Sequence, residues 1–210
     1  MVSGSGTNFQ ALIDAEKSGF LKTSNTAAGA DGDKFGRIAA VVSDRAGVYA
    51  LERAKAAEIP ALVEEPNMKF SKEERREELS CRILEAAKKY QIDLIILAGF
   101  LSILSGDILV EYERRIINLH PSLLPKYGGP GMYGSRVHEA VLAAKEKESG
   151  CTVHLVDQGT DTGPILLQRK VPVLENDTAE SLAGRIHKEE HIAIVEAAKL
   201  MIERIKEKSQ

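Results

Sequence analysis

The sequence lacks several features that mark whole classes of protein. It has no tryptophan, and no apolar run approaches the roughly 18 residues of a membrane-spanning helix. The N-terminus carries no apolar segment of the signal-peptide type, so we expect neither a membrane span nor a secretory leader. The formal net charge of −3 provides no basic footprint. Nucleic acid and membranes are therefore not expected partners.

Cysteine is scarce as well. Cys81 and Cys151 lie far apart and form no CxxC pair, which is typical of reduced thiols in a cytoplasmic protein. His187 and His191 are four residues apart, as in a zinc-binding HExxH helix. The glutamate of that pattern is misplaced here and no third ligand is found, so we expect no metal.

The 210 residues, 43% of them apolar and 28% charged, predict one globular domain, 1–210. We divide it into two approximate halves, 1–115 and 116–210. Strands and helices alternate up to residue 120, and a hairpin and a long helix follow. This order predicts an α/β fold with a doubly wound, mostly parallel central sheet and a mixed C-terminal half.

The individual elements follow from periodicity and turn residues. Residues 22–36 are predicted to be an exposed linker, and the charge run 72–78 (KEERREE) a solvated helix face. Asp177 and Glu180 have the spacing of a capping box at the start of the last helix. Strands are predicted at 37–43, 59–63, 92–98, 150–156 and 165–173, and helices at 46–58, 71–90, 107–113 and 137–147.

Residues 115–125 (RIINLHPSLLP) form the most informative stretch. Asn118 and His120 are two apart, so on an extended backbone they point to the same side. Pro121 favours an extended conformation at His120. A neutral hydrogen-bonding group and a titratable imidazole thus meet where a strand ends, which is a common place for chemistry. The alternative is that both are polar residues leaving a sheet.

Other polar groups have two interpretations each. The loop 3–8 (SGSGTN) precedes a helix and could hold a phosphate on its backbone N–H groups, or be a capped surface turn. Asp161 could act as a catalytic acid or simply shape a turn. His154 is either a structural histidine or a wall of the pocket, and His138 is interpreted as structural.

Residues 118–125 (NLHPSLLP), taken with Asp161 before Gly163 and Pro164, resemble the folate-dependent formyltransferases. Further matches follow in order along nearly the whole chain, at 3–8 (SGSGTN), 97–100 (LAGF), 131–134 (GMYG), 137–139 (VHE) and 152–154 (TVH).

The resemblance implies transfer of a formyl group from 10-formyltetrahydrofolate to the amine of glycinamide ribonucleotide in purine biosynthesis. The implied partners are thus a small ribonucleotide and a folate, and the sequence does not indicate an oligomeric state. The resemblance makes 1–115 the phosphate-binding half and 116–210 the catalytic and folate-binding half. The implied catalytic residues are Asn118, His120 and Asp161; the implied substrate-binding residues are Gly6, Thr7, Asn8, His187 and Glu190; the implied folate-binding residues are Lys72, Leu101, Ser102, Ile103, Leu104, Asn118, Asp157 and Asp161.

Two departures from the family pattern stand out. Only Met1 and Val2 precede the glycine-rich loop, too few for the usual first strand, which suggests a late start codon or a truncated gene model. A short first strand would weaken the folding of that loop. The 22–36 linker is longer than the family needs.

Formyl transfer between nitrogens passes through a tetrahedral oxyanion. Asn118 would donate to that oxyanion, a protonated His120 would donate more strongly and exchange protons, and a nearby Asp161 would favour the imidazolium form. Three alternatives are a formyltetrahydrofolate hydrolase, a methionyl-tRNA formyltransferase and a silent nucleotide- or folate-binding protein. The hydrolase usually has an added regulatory domain, the tRNA enzyme an added tRNA domain, and the silent protein needs no catalytic trio.

Overall fold

The computed structural model describes residues 1–22 and 36–208, and most of the predicted linker lies outside them. The helices are α1 (Thr7–Lys17), α2 (Tyr49–Ala56), α3 (Lys72–Lys89), α4 (Asp107–Glu111), α5 (Ser135–Ala143) and α6 (Ala179–Lys208). The strands are β1 (Val41–Ser43), β2 (Ala61–Val63), β3 (Ile95–Leu97), β4 (Ile116–His120), β5 (Glu148–Leu155) and β6 (Ile165–Pro172).

The strands form two hydrogen-bonded groups. β1 pairs with β2 in parallel, and a second sheet has the order β3-β4-β5-β6, with β3–β4 parallel and the last two pairings antiparallel. Residues 1–3 join the groups: Val2 bridges Ser43 in parallel, and the carbonyl of Met1 accepts from the N–H of Ala98 at 2.9 Å. The predicted mostly parallel sheet with a mixed C-terminal half is confirmed.

Two predicted strands begin three or more residues later than the sequence pattern indicates. The prediction placed strands at 37–43 and 92–98, but regular pairing begins only at Val41 with Ala61 and at Ile95 with Ile116. The preceding residues of both line a groove of about 1070 Å³ between them. An apolar run becomes a strand only where neighbouring backbone is available to pair with it, and here that neighbour starts late.

Capping residues near the helix starts determine where α3 and α6 begin. α3 begins after Ser71 in a reciprocal capping box with Glu74. At α6 the predicted box was wrong by one residue, because Thr178 and Ser181 exchange the two bonds. Asp177 instead accepts from both terminal nitrogens of Arg185 at 2.8 Å.

Helices α2 and α5 also end before their predicted limits of 58 and 147. Glu58 and Lys145 adopt left-handed φ values of 57° and 52°, which stop the helices there.

The core lies on both faces of the sheet. α6 packs on β5 and β6 and against α1, in a cluster that includes Ile117, Val153 and Ile186, while α3 and α4 form a second cluster around Ile83 and Ile116. In the part of the chain described, no helix is both long and apolar enough to cross a membrane. Layers of this kind leave the carboxyl ends of the parallel strands open as a crevice.

Candidate active site

The end of β4 presents two of the expected catalytic side chains. Asn118 and His120 alternate with buried Leu119, so both face the same side, as the sequence predicts. The antiparallel register with β5 places His154 directly opposite Asn118. Opposed residues in a sheet lie on one face, so His154 joins the site as a wall of the pocket and not only as a structural residue.

Asp161 reaches these residues from the turn between β5 and β6. Its backbone is left-handed, with φ 58°, which is uncommon for a residue other than glycine and turns the carboxylate inward. The N–H of Gly129 donates to Oδ2 of Asp161 at 3.0 Å. A Cβ on Gly128 would lie 3.2 Å from Cβ of Asp161 and collide with Leu124. The glycine-rich segment after β4 therefore fits closely against the carboxylate.

The predicted trio converges. Nδ2 of Asn118 lies 3.3 Å from Oδ1 of Asp161, and Nδ1 of His120 lies 3.5 Å from Oδ2. The side chains of His120, His154 and Asp161 are 5%, 2% and 10% exposed, so water screens their interactions weakly. Residues far apart in the chain thus form one buried polar cluster.

The fold assigns the ring nitrogens of His120 different roles. Nε2 lies 2.8 Å from the carbonyl oxygen of Tyr127, and because a carbonyl can only accept, Nε2 carries the hydrogen. Nδ1 faces Asp161 and carries a proton only in the imidazolium form. Any proton that His120 exchanges without breaking the Tyr127 bond therefore passes through Nδ1.

The same reasoning orients Asn118. Nδ1 of His154 donates to the carbonyl of Leu155 at 2.8 Å, so in the neutral ring Nε2 accepts from Nδ2 of Asn118 at 3.1 Å. In the protonated ring, Nε2 carries a hydrogen that faces Oδ1 of Asp161, 3.5 Å away. The second N–H of the amide points to Asp161. Donation to an oxyanion, the expected role of Asn118, requires one of these bonds to be exchanged for it.

The electrostatics of Asp161 favour its charged form. Burial raises the pKa of the Asp161 carboxyl group, but the imidazoles of His154 and His120 and the N–H of Gly129 together hold the pKa below its ordinary value. At neutral pH the site therefore contains a carboxylate, which stabilises a cation beside it.

A second polar cluster joins the first and last helices. Glu190 is 3% exposed, and its Oε2 accepts from Nδ2 of Asn8 at 3.1 Å and lies 2.6 Å from Nδ1 of His187. Burial raises the pKa of Glu190. The hydrogen bond and positive charge of His187, and then the hydrogen bond from Asn8, outweigh burial, so the pKa of Glu190 lies below its ordinary value. The hydrogen bond to Glu190 raises the pKa of His187. The pair is therefore an ion pair at mildly acidic pH.

Both clusters line one groove of about 910 Å³. Gly6 and Thr7 do not line it: Gly6 is the N-cap of α1 with φ 71°, and a Cβ there would lie 2.7 Å from Cβ of Ala50. The residues from the sequence prediction that do line the groove are Asn8, Lys72, Leu101, Ser102, Ile103, Leu104, Asn118, His120, Asp157, Asp161, His187 and Glu190.

Similarity to known proteins extends over most of the chain. Residues 1–198 match a family model described as formyl transferase. The chain belongs to the formyl transferase family.

Three individual proteins are similar to most of this chain. The trifunctional purine biosynthetic protein adenosine-3 of Drosophila melanogaster is 45% identical over 202 residues, which are 96% of this chain and 14% of that protein. Phosphoribosylglycinamide formyltransferase of Escherichia coli strain K12 is 35% identical over 191 residues, which are 91% of this chain and 80% of that enzyme. The crystal structure of glycinamide ribonucleotide transformylase 1 from Symbiobacterium toebii matches with a TM-score of 0.80 and 38% identity, over 96% of this chain and 85% of that one.

In this formyl transferase, the charge run on α3 is not only a solvated face. Lys72 is exposed, but Arg75 and Arg76 are half-buried and also line the groove. Arg75 contacts Met68 and the carbonyl of Phe70. Sequence reasoning missed both arginines; their signal was a spacing of three to four residues from Lys72, which puts Arg76 on the same helix face.

His138 was interpreted as structural, but it lines the groove of the formyl transferase. It is 4% exposed, its Nδ1 has no hydrogen-bond partner among the described residues, and burial lowers its pKa.

The described residues contain no group of three potential metal ligands, and Nδ1 of His187 is bonded to Glu190. Asp157 accepts from Gly159 and Thr162 in its own turn, so its contribution to the groove is the shape of that turn.

Proposed function

We propose that this formyl transferase moves a formyl group from 10-formyltetrahydrofolate to the amine of glycinamide ribonucleotide, in purine biosynthesis. The observation that carries the proposal is that the Asn118, His120 and Asp161 cluster and the Asn8–Glu190 pair line one groove. The groove thus has one polar centre for the reaction and another for an amine-bearing nucleotide. The names of the relatives supply the identity of the reaction.

The phosphate of the ribonucleotide would bind at the start of α1. No side chain caps that helix, so its first N–H groups are open to an anion, and the helix dipole favours negative charge there. Gly6 allows the loop to pack against α2, and Thr7 and Asn8 contribute their N–H groups. The buried Glu190 carboxylate and His187 would then hold the sugar and the amine beside the catalytic cluster.

The chemistry needs no protein nucleophile. The neutral amine nitrogen attacks the formyl carbon, a C–N bond forms, and the carbonyl oxygen becomes an oxyanion. An imidazolium at His120, stabilised by Asp161, stabilises that oxyanion through Nδ1, and a preorganised donor of this type lowers the barrier by roughly 3–4 kcal/mol. As the bond to the folate nitrogen breaks, the proton released by the amine passes to that nitrogen, with His120 as the relay.

The folate would occupy the other half of the groove. Leu101, Ile103 and Leu104 offer an apolar wall for a flat ring. Lys72 and Arg76, on one face of α3, would pair with the carboxylates of the glutamate part of the folate.

We further propose that residues 1–210 form a single domain. We also propose that the protein is cytoplasmic, since Cys81 and Cys151 are free thiols.

An assay with 10-formyltetrahydrofolate tests the proposal, with and without glycinamide ribonucleotide. We expect folate turnover only when the ribonucleotide is present, with one formylated product per folate released. Turnover that ignores the ribonucleotide would identify a hydrolase. Binding of both ligands without turnover would identify a silent binding protein.

A further inference from the structure

The loop that follows β3, residues 99–105, forms one wall of the groove. It leaves the strand at Gly99, whose φ of 76° turns the chain sharply. Leu101 is 44% exposed toward the groove side, while Phe100 and Leu104 are buried in the core. A short loop with its ends in the core and its middle at a ligand groove needs to be fixed in position.

Ser3 fixes the first part of this loop. Its N–H donates to the carbonyl of Gly99 at 3.0 Å, and its Oγ accepts from the N–H of Leu101 at 2.8 Å. Ser3 is also the first residue of the glycine-rich loop 3–8, whose last residue, Asn8, lines the same groove. The two loops are therefore joined directly.

Asp44 fixes the next residue of the loop. Oγ of Ser102 donates to Oδ2 of Asp44 at 2.7 Å, the length of a charge-assisted bond. Asp44 follows β1 and lies beside Ser3, because Ser43 and Val2 are bridged. Ser3 and Asp44 together hold consecutive residues of the 99–105 loop.

The burial of Asp44 makes the contact unusual. Asp44 is 5% exposed, and its second oxygen, Oδ1, is buried with no hydrogen-bond partner in the described ranges 1–22 and 36–208. Buried acceptors are almost always paired, and an unpaired one destabilises the fold. Among the residues that the structure describes, the one side-chain hydrogen bond of Asp44 is the bond to Ser102 in the groove wall. Holding Ser102 is therefore the contact that the buried position of Asp44 allows.

We propose that Asp44 is a positioning residue for the folate side of the groove. Acting through Ser102, it sets the distance between the folate wall and the phosphate-binding loop. The Ser102 hydroxyl is then engaged within the protein, and the wall that meets the folate is made by the neighbouring apolar side chains. The inference rests on the proposed function and names the residue that aligns its two binding sites.

Steady-state kinetics on Asp44→Ala and Ser102→Ala test the proposal. Loss of a hydrogen bond to a charged group should raise the KM for 10-formyltetrahydrofolate roughly 10-fold. The KM for the ribonucleotide should change less than about twofold. Since both variants break one bond, the double variant should add nothing to the larger single effect.

Conservative variants and a remote control separate positioning from general damage. Asp44→Asn keeps an acceptor and Ser102→Thr keeps a hydroxyl, so both variants should have a KM for 10-formyltetrahydrofolate close to that of the wild type. Ser18→Ala removes a 3.0 Å hydrogen bond to Ala15 outside the groove and should leave both KM values unchanged. Hydrogen exchange of the Leu101 amide should become faster in Asp44→Ala even without ligand.

The possible results separate the positioning role of Asp44 from the proposed function of the protein. Wild-type protein that turns over normally, with an unchanged folate KM and unchanged Leu101 exchange in Ser102→Ala, would overturn the positioning role alone. Equal increases in both KM values, with no rescue by Asp44→Asn, would show that Asp44 has only a structural role. Wild-type protein that neither binds folate nor turns over would overturn the proposed function, and the positioning role with it. If Asp44→Ala fails to fold, Ser102→Ala and Asp44→Asn provide the same comparison.

Discussion

Asn8 in the first helix donates a hydrogen bond from Nδ2 to Oε2 of Glu190 in the last helix, at 3.1 Å. The bond is buried, and the same oxygen lies 2.6 Å from Nδ1 of His187. One carboxylate oxygen thus joins the end of the glycine-rich loop, at Asn8, to the terminal helix. Its energetics can be tested through pH.

The variant His187→Gln should lose stability mainly at mildly acidic pH. The raised pKa of His187 means its contribution is fully present below the ordinary value of 6.5 and is lost as pH rises through the raised value. The lowered pKa of Glu190 means its contribution is present above the ordinary value of 4.5 and is lost as pH falls through the lowered value. The pair therefore contributes most between about pH 4.5 and 6.5.

Urea unfolding of wild type and His187→Gln at pH 6 and pH 9 measures this effect. The His187 side chain is 53% exposed, so solvent limits the difference to about 1 kcal/mol at pH 6. The difference should shrink at pH 9. A constant difference at both pH values would show that packing, not charge, accounts for the contact.

The variant His120→Ala should lower kcat at least about 100-fold, because it removes both the oxyanion donor and the proton relay. Asn118→Ala should lower kcat by a similar factor. Circular dichroism checks that both variants fold. A near-normal kcat in a folded variant would remove that residue from the mechanism.

The variant Asp161→Asn should lose activity although it preserves shape. The carboxylate accepts at Oδ1 from Asn118 and at Oδ2 from Gly129, whereas an amide has one acceptor and would turn its NH2 toward one of these donors. We expect kcat to fall about 100-fold or more and the free energy of unfolding to fall by roughly 1–3 kcal/mol.

A matched control for Asp161→Asn is Asp14→Asn, where an exposed carboxylate accepts a single bond from Gln10. That variant should retain the stability and activity of the wild type within about 0.5 kcal/mol. If Asp161→Asn also behaves this way, the paired acceptors have no functional importance.

The variant Gly6→Ala should weaken the binding of the ribonucleotide. Its φ of 71° is unfavourable for alanine, and the new Cβ would lie 2.7 Å from Cβ of Ala50, so α1 or α2 must move. We expect a KM for the ribonucleotide raised about 10-fold or more, with the folate KM less affected.

Gly184→Ala is the opposite case on α6. Nothing lies within 4 Å of the new Cβ, and the exposed helical position favours alanine by roughly 0.5–1 kcal/mol. Thermal unfolding should show Gly6→Ala below and Gly184→Ala above the wild type. Equal shifts in both would argue against a special conformation at Gly6.

Much of the site could be predicted because its signals are local. The spacing of Asn118 and His120 requires only that the backbone is extended, and the strand end follows from Pro121. Ser71 and Glu74 cap α3 through residues three apart, which again needs no tertiary information.

Features that depend on distant partners could not be predicted in the same way. The lengths of β1 and β3 depend on where neighbouring backbone begins, and His154 faces Asn118 only through the β4–β5 register. The cap of α6 moved to Thr178 because Arg185 engages Asp177. The groove-facing role of Arg76 depends on which side of α3 is covered.

The contact between Asn8 and Glu190 has a consequence for protein synthesis. Because the two residues are separated by most of the polypeptide, the nascent chain leaves the ribosome with its glycine-rich loop long before its partner helix exists. A chain halted anywhere before residue 190 would expose an amide that only the completed molecule engages. The hydrogen bond between Asn8 and Glu190 therefore forms only once translation has delivered the final helix.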